Sequence, residues 1–480
     1  MTSRDAQQGP PPPDSVTGDL WQATSLRLRI LETSAWRRDL SEYMSRHVSS
    51  TSLIAWGEPT IAANLLKSVV TKVATLYRLP PVLTHDALTP DGQAYMASIG
   101  LFAQHRRLNR LVVGLRDCLV RVHWSPELGL PQIELVPPHR AYVRALRHAP
   151  DHPVEIRQAI LMRDPLLDKG KPHRWFWEVW SIEDPFSPTY RIIEADGRRL
   201  DRSADFGVDT SYPWVADGVP YIPLVLYHAE DTGCVMDSDG WSELVDGTLT
   251  VAMLVTFWLH VVRNASWSQA YGINVKLRGA RLNEGGADPN VNARTVAADP
   301  KSILMFDSAL GGSVGTIDKP SDPQYVIAAI TQYAGWILSQ IGLGTDDVQI
   351  AEAQSGVALT IRQEGITRLQ QDHLPGMTKG DLALAALAAR VANTFGGGSL
   401  PTDGWEITYP AAPKTRADRI DDLDHKQKMI DLGLLSRIDL ILEIRPWLTR
   451  PEAIQEAYRI DIENAIGAAV PARGEPNAGE

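Results

Sequence analysis

The feature that most constrains this chain is the segment Trp241–Tyr271, which contains no proline and is apolar almost all round in its middle. This pattern predicts one long helix. A helix that is apolar on every side must be buried on every side, either in a large core or against neighbouring copies of itself. Its most apolar run, Val251–Val262, has about a dozen residues where a membrane span needs roughly 20, so we expect a soluble protein.

Length, charge and cysteine usage bound the class of protein. The 480 residues suffice for roughly two to four domains. The net charge of −11 argues against a surface that binds nucleic acid everywhere, because such a surface needs a basic footprint. Only Cys118 and Cys234 occur, which excludes a disulfide framework and favours a reducing, cytosol-like compartment. Met1–Pro13 lacks the apolar core of a signal peptide and is expected to be a disordered arm.

Before the long helix, a helical region is followed by strands, which predicts an α+β arrangement. Apolar residues at helical spacing predict helices within Leu20–His47, over Ile61–Leu79 and over Gln93–Asn109. The aromatic segment Arg174–Ser181 alternates with period two and is expected to pair with Tyr190–Ile193. Its Trp175, Trp177 and Trp180 are expected to pack in the core or in an interface and not on a ligand. The other predicted strands before residue 240 are Leu111–His123, Gln132–Val136, Gln158–Met162 and Ile222–Tyr227.

After the long helix, residues 272–320 are typical of a small β-rich insertion. Strands are expected at Ile273–Leu277 and Ser302–Phe306, with loops at Gly279–Ala298 and Ala309–Gly315. A second helix, Pro323–Gly342, follows, so the insertion stands between two antiparallel helices. Further on, the pattern predicts a polar segment Thr345–Gln354, a long helix Val357–Thr394 kinked at Pro375, a strand Trp405–Tyr409, and helices at Arg416–Leu432, Ser436–Ile444 and Pro451–Ala468.

Catalytic and cofactor motifs give little support for an enzyme. Gly311–Gly315 matches G-x-S-x-G, but a nucleophile elbow needs a helix directly after the serine, and Thr316–Pro320 cannot begin one there. We therefore expect a Gly-rich loop at Ser313. Phosphate loops and Cys/His clusters are missing from the sequence, so no cofactor and no metal is expected. The basic residues near the third helix are expected to form a solvated face with local ion pairs: His105, Arg106, Arg107, Arg110, Arg116 and Arg121.

The order of these elements resembles the portal proteins of tailed bacteriophages. The most specific match is Ser355, Gly356, Ala358 and Leu359, which stand as S-G-x-A-L at the start of that family's long helix. The resemblance extends over roughly residues 55–460. Its other supports are Asn64–Pro81, Val136–Pro138, Val219–Pro223 and Asp431–Ser436, each of them weak alone.

The resemblance implies an α+β subunit of portal type, assembled as a ring that usually has twelve subunits in the virion. Such a subunit has an α/β wing, a two-helix stem, a small β-rich clip and a helical crown. In this sequence the implied parts are a disordered arm at 1–17, wing at 18–240, first stem helix at 241–271, clip at 272–320, second stem helix at 321–342, tunnel loop at 343–354, wing helix and strand at 355–415, crown at 416–468 and a disordered tail at 469–480.

The same resemblance implies a function without catalysis: a channel for genome packaging and ejection at one capsid vertex, assembled in the host cytoplasm. The implied partners are further copies of the chain, double-stranded DNA in transit, the terminase motor, the head–tail adaptor, the major capsid protein and a scaffold, with no membrane. The implied tunnel-loop residues are Thr345, Asp346, Asp347, Gln349, Glu352 and Gln354, and the implied clip contacts to motor and adaptor are Lys276, Arg278, Arg281 and Arg294.

Two other functions stay open. One is a different virion structural or adaptor protein with helical arms. The other is a serine hydrolase that uses Ser313. Ring formation distinguishes the portal from both, since a portal requires a central hole and a mass many times 52.9 kDa.

Overall fold

The structure, a computed structural model, describes residues 15–162, 173–195, 200–208, 211–236, 240–265, 269–273, 304–306, 313–317, 323–344, 356–410, 426, 428–432, 436–444 and 449–469. The chain divides into two compact units. The first comprises residues 1–353 and 359–410, and the second comprises residues 354–358 and 411–480. Helices and sheets are mixed, so the α+β class expected from the sequence is confirmed.

The N-terminal region is helical, but its helices are shorter than the sequence pattern predicts. The predicted helix Gln93–Asn109 is two helices, because Gly100 adopts a left-handed φ of 66° and ends the first of them. The helix-forming part of Ile61–Leu79 begins only after Asn64, whose side chain accepts a hydrogen bond from the Lys67 N–H. The helices are α1 (Ser15–Glu32), α2 (Trp36–His47), α3 (Ser50–Trp56), α4 (Leu65–Val73), α5 (Pro90–Ile99) and α6 (His105–Leu115), and a 3₁₀ turn (Leu76–Arg78) follows α4.

Helix α6 also corrects the predicted strand Leu111–His123. Its Leu108, Leu111, Val112 and Leu115 are buried at helical spacing and Val113 is buried as well, so the helical pattern that begins at His105 continues through this valine-rich segment. The strand begins only at Asp117.

Two antiparallel sheets follow α6. One has the order β10-β2-β3, and the other has the order β4-β5-β6-β7. The predicted pairing of Arg174–Ser181 with the next strand is confirmed, with Trp180 opposite Tyr190. The strands are β1 (Val82–Thr84), β2 (Asp117–Ser125), β3 (Leu130–Val136), β4 (Ala141–Leu146), β5 (Ala149–Met162), β6 (Arg174–Ser181), β7 (Thr189–Glu194), β8 (Val215–Ala216), β9 (Val219–Pro220) and β10 (Leu224–His228).

The two sheets face each other across a small apolar core. Trp180 is buried there with Leu119, Ile156 and Leu224. Trp177 is buried on the opposite face of β6, so the predicted core packing of these two tryptophans is confirmed. Trp175 is only half-buried and packs against that second cluster, with the Arg140 guanidinium 5.6 Å from the centre of its ring.

After the sheets come helix α7 (Ser242–Ala265), strands β11 (Gln269–Ile273), β12 (Leu304–Phe306) and β13 (Ser313–Ile317), and helix α8 (Pro323–Gln340). The predicted helix Trp241–Tyr271 is therefore too long at its C-terminal end. Residues 269–273 instead pair antiparallel with 313–317 and parallel with 304–306. This pairing with distant residues overrides the local helical pattern.

Helix α9 (Gly356–Gly396) crosses the first sheet and contains Pro375. It approaches strand β10 so closely that glycine is required at two positions. A Cβ at Gly376 would lie 2.5 Å from the His228 carbonyl oxygen, and one at Gly380 would lie 2.5 Å from the Tyr227 ring. Strand β14 (Glu406–Thr408) then pairs with β1.

The second unit contains helices α10 (Arg437–Ile444) and α11 (Arg450–Ala469) in its described part. The predicted cap of α10 is confirmed, because the Ser436 hydroxyl accepts a hydrogen bond from the Asp439 N–H. Thr449 and Glu452 form a similar cap at the start of α11, where the Glu452 carboxylate accepts from the Thr449 N–H. Most of the predicted helix Arg416–Leu432 lies outside the described residues.

The observed length of helix α7 changes the expectation that its apolar segment is too short to span a membrane. Residues Ser242–Arg263, with a mean hydropathy of 1.6, are long and apolar enough to cross a membrane, although Val251–Val262 alone is not. A core helix of a soluble protein passes the same test, and 44% of this helix is buried within the chain. Length by itself therefore does not exclude a membrane span here.

Candidate functional site

The helix pair α7–α8 is antiparallel and closely packed. Near the start of α7, Gly247 lies against Ile337, and a Cβ at that glycine would come within 2.8 Å of the Ile337 Cγ2. Near the other end, the Trp258 indole N–H donates a 3.0 Å hydrogen bond to the Pro323 carbonyl oxygen. The two contacts hold the helices together near both ends of the pair. The β unit therefore connects two helices that are packed against each other.

Helix α7 is held by the N-terminal region through polar contacts of Thr248, in its first half, and of Thr256, just past its middle. Two threonines in the helix interior accept hydrogen bonds from backbone N–H groups outside it. Thr248 accepts from Leu66 at 3.0 Å, and Thr256 accepts from Thr60 at 3.1 Å. Both threonine hydroxyls also donate to the carbonyl four residues earlier, so each hydroxyl both accepts and donates a hydrogen bond. The surrounding cluster includes Leu40, Met44, Val69, Leu244, Leu249 and Ile337.

Tyr325 and Trp336 lie on the same side of α8, about three turns apart, and form what we call the apolar face. Leu259 of α7 and Ile327, on the opposite side of α8, are also exposed. Tyr325 is 77% exposed and Trp336 is 59% exposed. Two large, exposed aromatic side chains on one side of a helix are typical of a surface that contacts a partner. Helix α8 contains no charged residue.

The β unit between the helices differs from the predicted loop at Ser313. Residues 313–317 form strand β13, which pairs with β11 along its whole length. A nucleophile elbow places its serine on a turn that leads directly into a helix. Ser313 instead begins a strand, so the backbone here does not have the geometry of an elbow.

Most of the residues assigned from the portal resemblance lie outside the described part of the chain. This holds for the tunnel-loop set (Thr345, Asp346, Asp347, Gln349, Glu352 and Gln354) and for the clip set (Lys276, Arg278, Arg281 and Arg294). Of the motif at the long helix, Ser355 also lies outside, whereas Gly356, Ala358 and Leu359 form the first turn of α9.

The structure also shows a buried polar cluster that the sequence analysis missed. The carboxylate of Asp381, in the middle of α9, accepts hydrogen bonds from the hydroxyls of Tyr77 (2.7 Å), Tyr227 (2.9 Å) and Tyr409 (2.7 Å). The His105 Nε2 lies 3.1 Å from the same carboxylate. One aspartate next to the apolar run Leu382–Ala392 was the signal that could have revealed it, because an acidic residue in a buried helix needs donors.

The charge of Asp381 shapes the tyrosines around it. Burial, together with the neighbouring carboxylate, raises the pKa of Tyr77, Tyr227 and Tyr409 above the usual value for tyrosine. All three therefore stay protonated and donate. The cluster therefore links α9 to α6, to β10 and to the segment after β14 within the first unit.

Comparisons with known proteins add no identification. No family model matches this chain, and no curated protein matches it in sequence. Within the described residues, no group of three or more His, Cys, Asp or Glu side chains is arranged to hold a metal ion.

Proposed function

We propose that this chain is the portal subunit of a tailed bacteriophage and that copies of it close into a ring around double-stranded DNA. The observation that carries the proposal is the exposed apolar face on the helix pair α7–α8. The order of elements along the chain supports it: a mixed wing, two antiparallel helices that flank a small β unit, and a long helix that follows. The S-G-x-A-L match at residues 355–359 adds support from the sequence.

Assembly accounts for the apolar face energetically. Burial of one large apolar side chain stabilises a structure by about 1.5–3 kcal/mol. In a ring, each subunit meets a neighbour on both sides, so one face contributes at every interface. Tyr325 and Trp336 would then contact the next subunit, and the exposed Leu259 and Ile327 would add contacts with neighbouring subunits.

The channel role is proposed for residues 343–354. Asp346, Asp347 and Glu352 carry negative charge in this segment, while Thr345, Gln349 and Gln354 offer neutral contacts. A negative bore repels the phosphate backbone, so DNA can slide without a deep electrostatic minimum. If Asp346→Lys combined with Asp347→Lys left packaging and ejection unchanged, this electrostatic role would be wrong.

The remaining partners follow the same proposal. Lys276, Arg278, Arg281 and Arg294 would contact the terminase motor and later the head–tail adaptor, and the capsid protein would surround the wing. Contact with a membrane is not part of the proposed function. The half-buried state of helix α7 within one chain, and the hydrogen bonds of Thr248 and Thr256 to the N-terminal region, support a packed helix in this position.

The ring is tested by imaging and sedimentation of the purified full chain. We expect particles with a central hole and a mass many times 52.9 kDa. A double variant, Tyr325→Glu with Trp336→Glu, places two charges on the apolar face and should leave single subunits of unchanged helix content by circular dichroism.

A matched control is Phe186→Glu, since Phe186 is 98% exposed but lies on the turn between β6 and β7, away from α7 and α8. This variant should assemble as the wild type does. A wild-type chain that sediments as one subunit at every concentration, even with coat and scaffold proteins present, contradicts the proposal. Assemblies without a central hole point instead to a different structural or adaptor protein.

A further inference from the structure

Six basic residues gather on one surface of the N-terminal helices, which we call the basic face. It consists of Lys67, Lys72, Arg78, Arg106, Arg107 and Arg110. The first two belong to α4, Arg78 ends the 3₁₀ turn, and the three others belong to α6. In a chain with a net charge of −11, such a cluster stands out.

The packing of the helices brings these residues together. Helices α4 and α6 pack side by side: a Cβ at Gly114 of α6 would lie 3.3 Å from the Val70 side chain of α4. Both helices bury their apolar sides, which include Val69 and Leu111. The basic residues therefore occupy the remaining, outer sides of the two helices.

The charge of this surface is only slightly offset by neighbours. The Arg107 guanidinium pairs with the Glu32 carboxylate through two 3.1 Å hydrogen bonds. Arg106 donates to the carbonyl oxygens of Tyr77 and Arg78, which leaves its charge unopposed. Across the described ranges, no ion pair involves Lys67, Lys72, Arg78 or Arg110. Among the described residues, the six cations therefore have one carboxylate as an ion-pair partner, that of Glu32.

The contacts also connect the cations into one surface. Glu32, the partner of Arg107, lines the same shallow groove of about 610 Å³ as Lys67 and Lys72. Arg106 reaches the backbone of Arg78 at 2.6 Å. The α4 lysines, the α6 arginines and the 3₁₀ turn are therefore continuous.

The side chains of the basic face indicate which class of partner it can bind. Single-stranded nucleic acid needs aromatic side chains for base stacking, and the exposed aromatic residues of the described chain lie elsewhere: Phe186, Tyr325, Trp336, Phe395 and Tyr458. A protein interface needs a buried apolar centre. The basic face has little apolar surface of this kind. Leu79, which follows Arg78 in the chain, is a large apolar residue that is exposed there. What this surface offers is positive charge at several points.

We propose that the basic face binds the phosphate backbone of duplex DNA without reading its sequence. Charges separated by more than about 8–10 Å are screened at ordinary salt, so the negative charge of the rest of the chain does not cancel this local attraction. The site is distinct from the acidic segment assigned to the channel. It does not rest on ring formation, which imaging of the same variants tests separately.

The experiment measures binding of the full chain to a fluorescent duplex of about 30 bp by anisotropy. If four phosphates are neutralised, affinity should fall roughly 100-fold between about 50 and 200 mM salt. The triple variant Lys67→Gln, Lys72→Gln and Arg110→Gln should reduce the slope of log affinity against log salt by about 2.7, or about 0.9 per cation. The single variant Arg110→Gln should reduce it by about 0.9 and guards against misfolding of the triple variant.

A charge-matched control is Arg46→Gln, Lys379→Gln and Arg459→Gln, three exposed cations outside the basic face. The control should bind duplex as the wild type does. Equal losses in both triple variants, or an unchanged salt slope in the basic-face variants, would overturn the proposal. So would binding to poly-glutamate in place of duplex, which would assign the surface to an acidic protein. A single strand bound more tightly than the duplex would overturn it as well.

Discussion

The guanidinium carbon of Arg116 lies 4.9 Å from the centre of the Trp241 ring. Both residues adopt left-handed backbone angles that are uncommon outside glycine, with φ values of 74° and 64°. Arg116 follows the end of α6 and Trp241 precedes α7, so the contact joins α6 to the helix pair α7–α8. Arg116 is buried and also forms a 2.6 Å ion pair with Glu230. The contact between the two side chains therefore stabilises two residues whose backbone conformations are energetically unfavourable.

This stacked pair should show energetic coupling. We expect Trp241→Leu to lower the free energy of unfolding by about 1–3 kcal/mol. A double-mutant cycle with Arg116→Met should give a coupling energy of about 1 kcal/mol, as for a partly desolvated cation–π contact. The measurement is urea unfolding of the four proteins. Additive effects of the two substitutions would show that the stacking contributes nothing.

The close approach of α7 and α8 should make Gly247 sensitive to a methyl group. Gly247→Ala gains about 1 kcal/mol in helix propensity but forces a contact of 2.8 Å with Ile337. We expect a net loss of about 1–3 kcal/mol, typical of overpacking. Because Ile337→Ala removes the clashing atoms, the double variant should be less unstable than the sum of the single changes. Thermal unfolding of the set checks this, and strict additivity would contradict the packing described.

The buried carboxylate of Asp381 should matter more than any one of its donors. Asp381→Asn removes the charge and turns its amide donor towards tyrosine hydroxyls that are also donors, so we expect a loss of about 2–4 kcal/mol. Tyr409→Phe removes one of three tyrosine donors and should cost about 1 kcal/mol. Chemical denaturation followed by tryptophan fluorescence compares them. A larger loss for Tyr409→Phe would show that the cluster is not centred on the carboxylate.

Two buried histidines should make the fold sensitive to acid. Burial, and then the nearby arginines, lowers the pKa of His139 and of His373 to about 4 from the usual 6.5. Above about pH 6.5 both are neutral in the folded and unfolded chain, so neither affects stability. As the pH falls from 6.5 to 4, only the unfolded chain takes up the proton, and stability is lost, by at most about 3 kcal/mol per group.

The histidine prediction is checked by unfolding midpoints measured between about pH 7 and pH 4.5. His139→Gln and His373→Gln should each flatten the decline over that window. Arg46→Gln, at an exposed site, should leave its slope unchanged. A decline that persists undiminished in both histidine variants would assign acid sensitivity to other groups.

The sequence predicted element types best where one pattern dominated. The period-two run Arg174–Ser181 and the Ser436 cap appear as expected, because each depends on neighbouring residues alone. The errors fall where distant contacts decide. Residues 269–273 become a strand because residues 313–317 lie beside them. Leu111–Leu115 is helical because it packs into a core that α6 shares with the first sheet and with α9.

The candidate site was predictable only in part. The apolar character of α7 was evident from the sequence, whereas the exposure of Tyr325 and Trp336 on α8 depends on how the two helices rotate against each other. The basic residues near α6 were visible as a cluster, but the sequence could not separate buried His105 and Arg116 from exposed Arg106 and Arg110. Asp381 acquires its three tyrosine partners from segments far apart in the chain, which no local pattern encodes.

Gly376 and Gly380 set the thickness of the layer between α9 and the sheet that ends in β10. With bare backbone at both positions, the helix axis comes nearer to the strand than any side chain would allow. A chain of the same topology that carries a larger residue at either position must therefore hold its helix further from the sheet. The residues at these two sites therefore indicate whether a related sequence has a short or a long distance between this helix and the sheet.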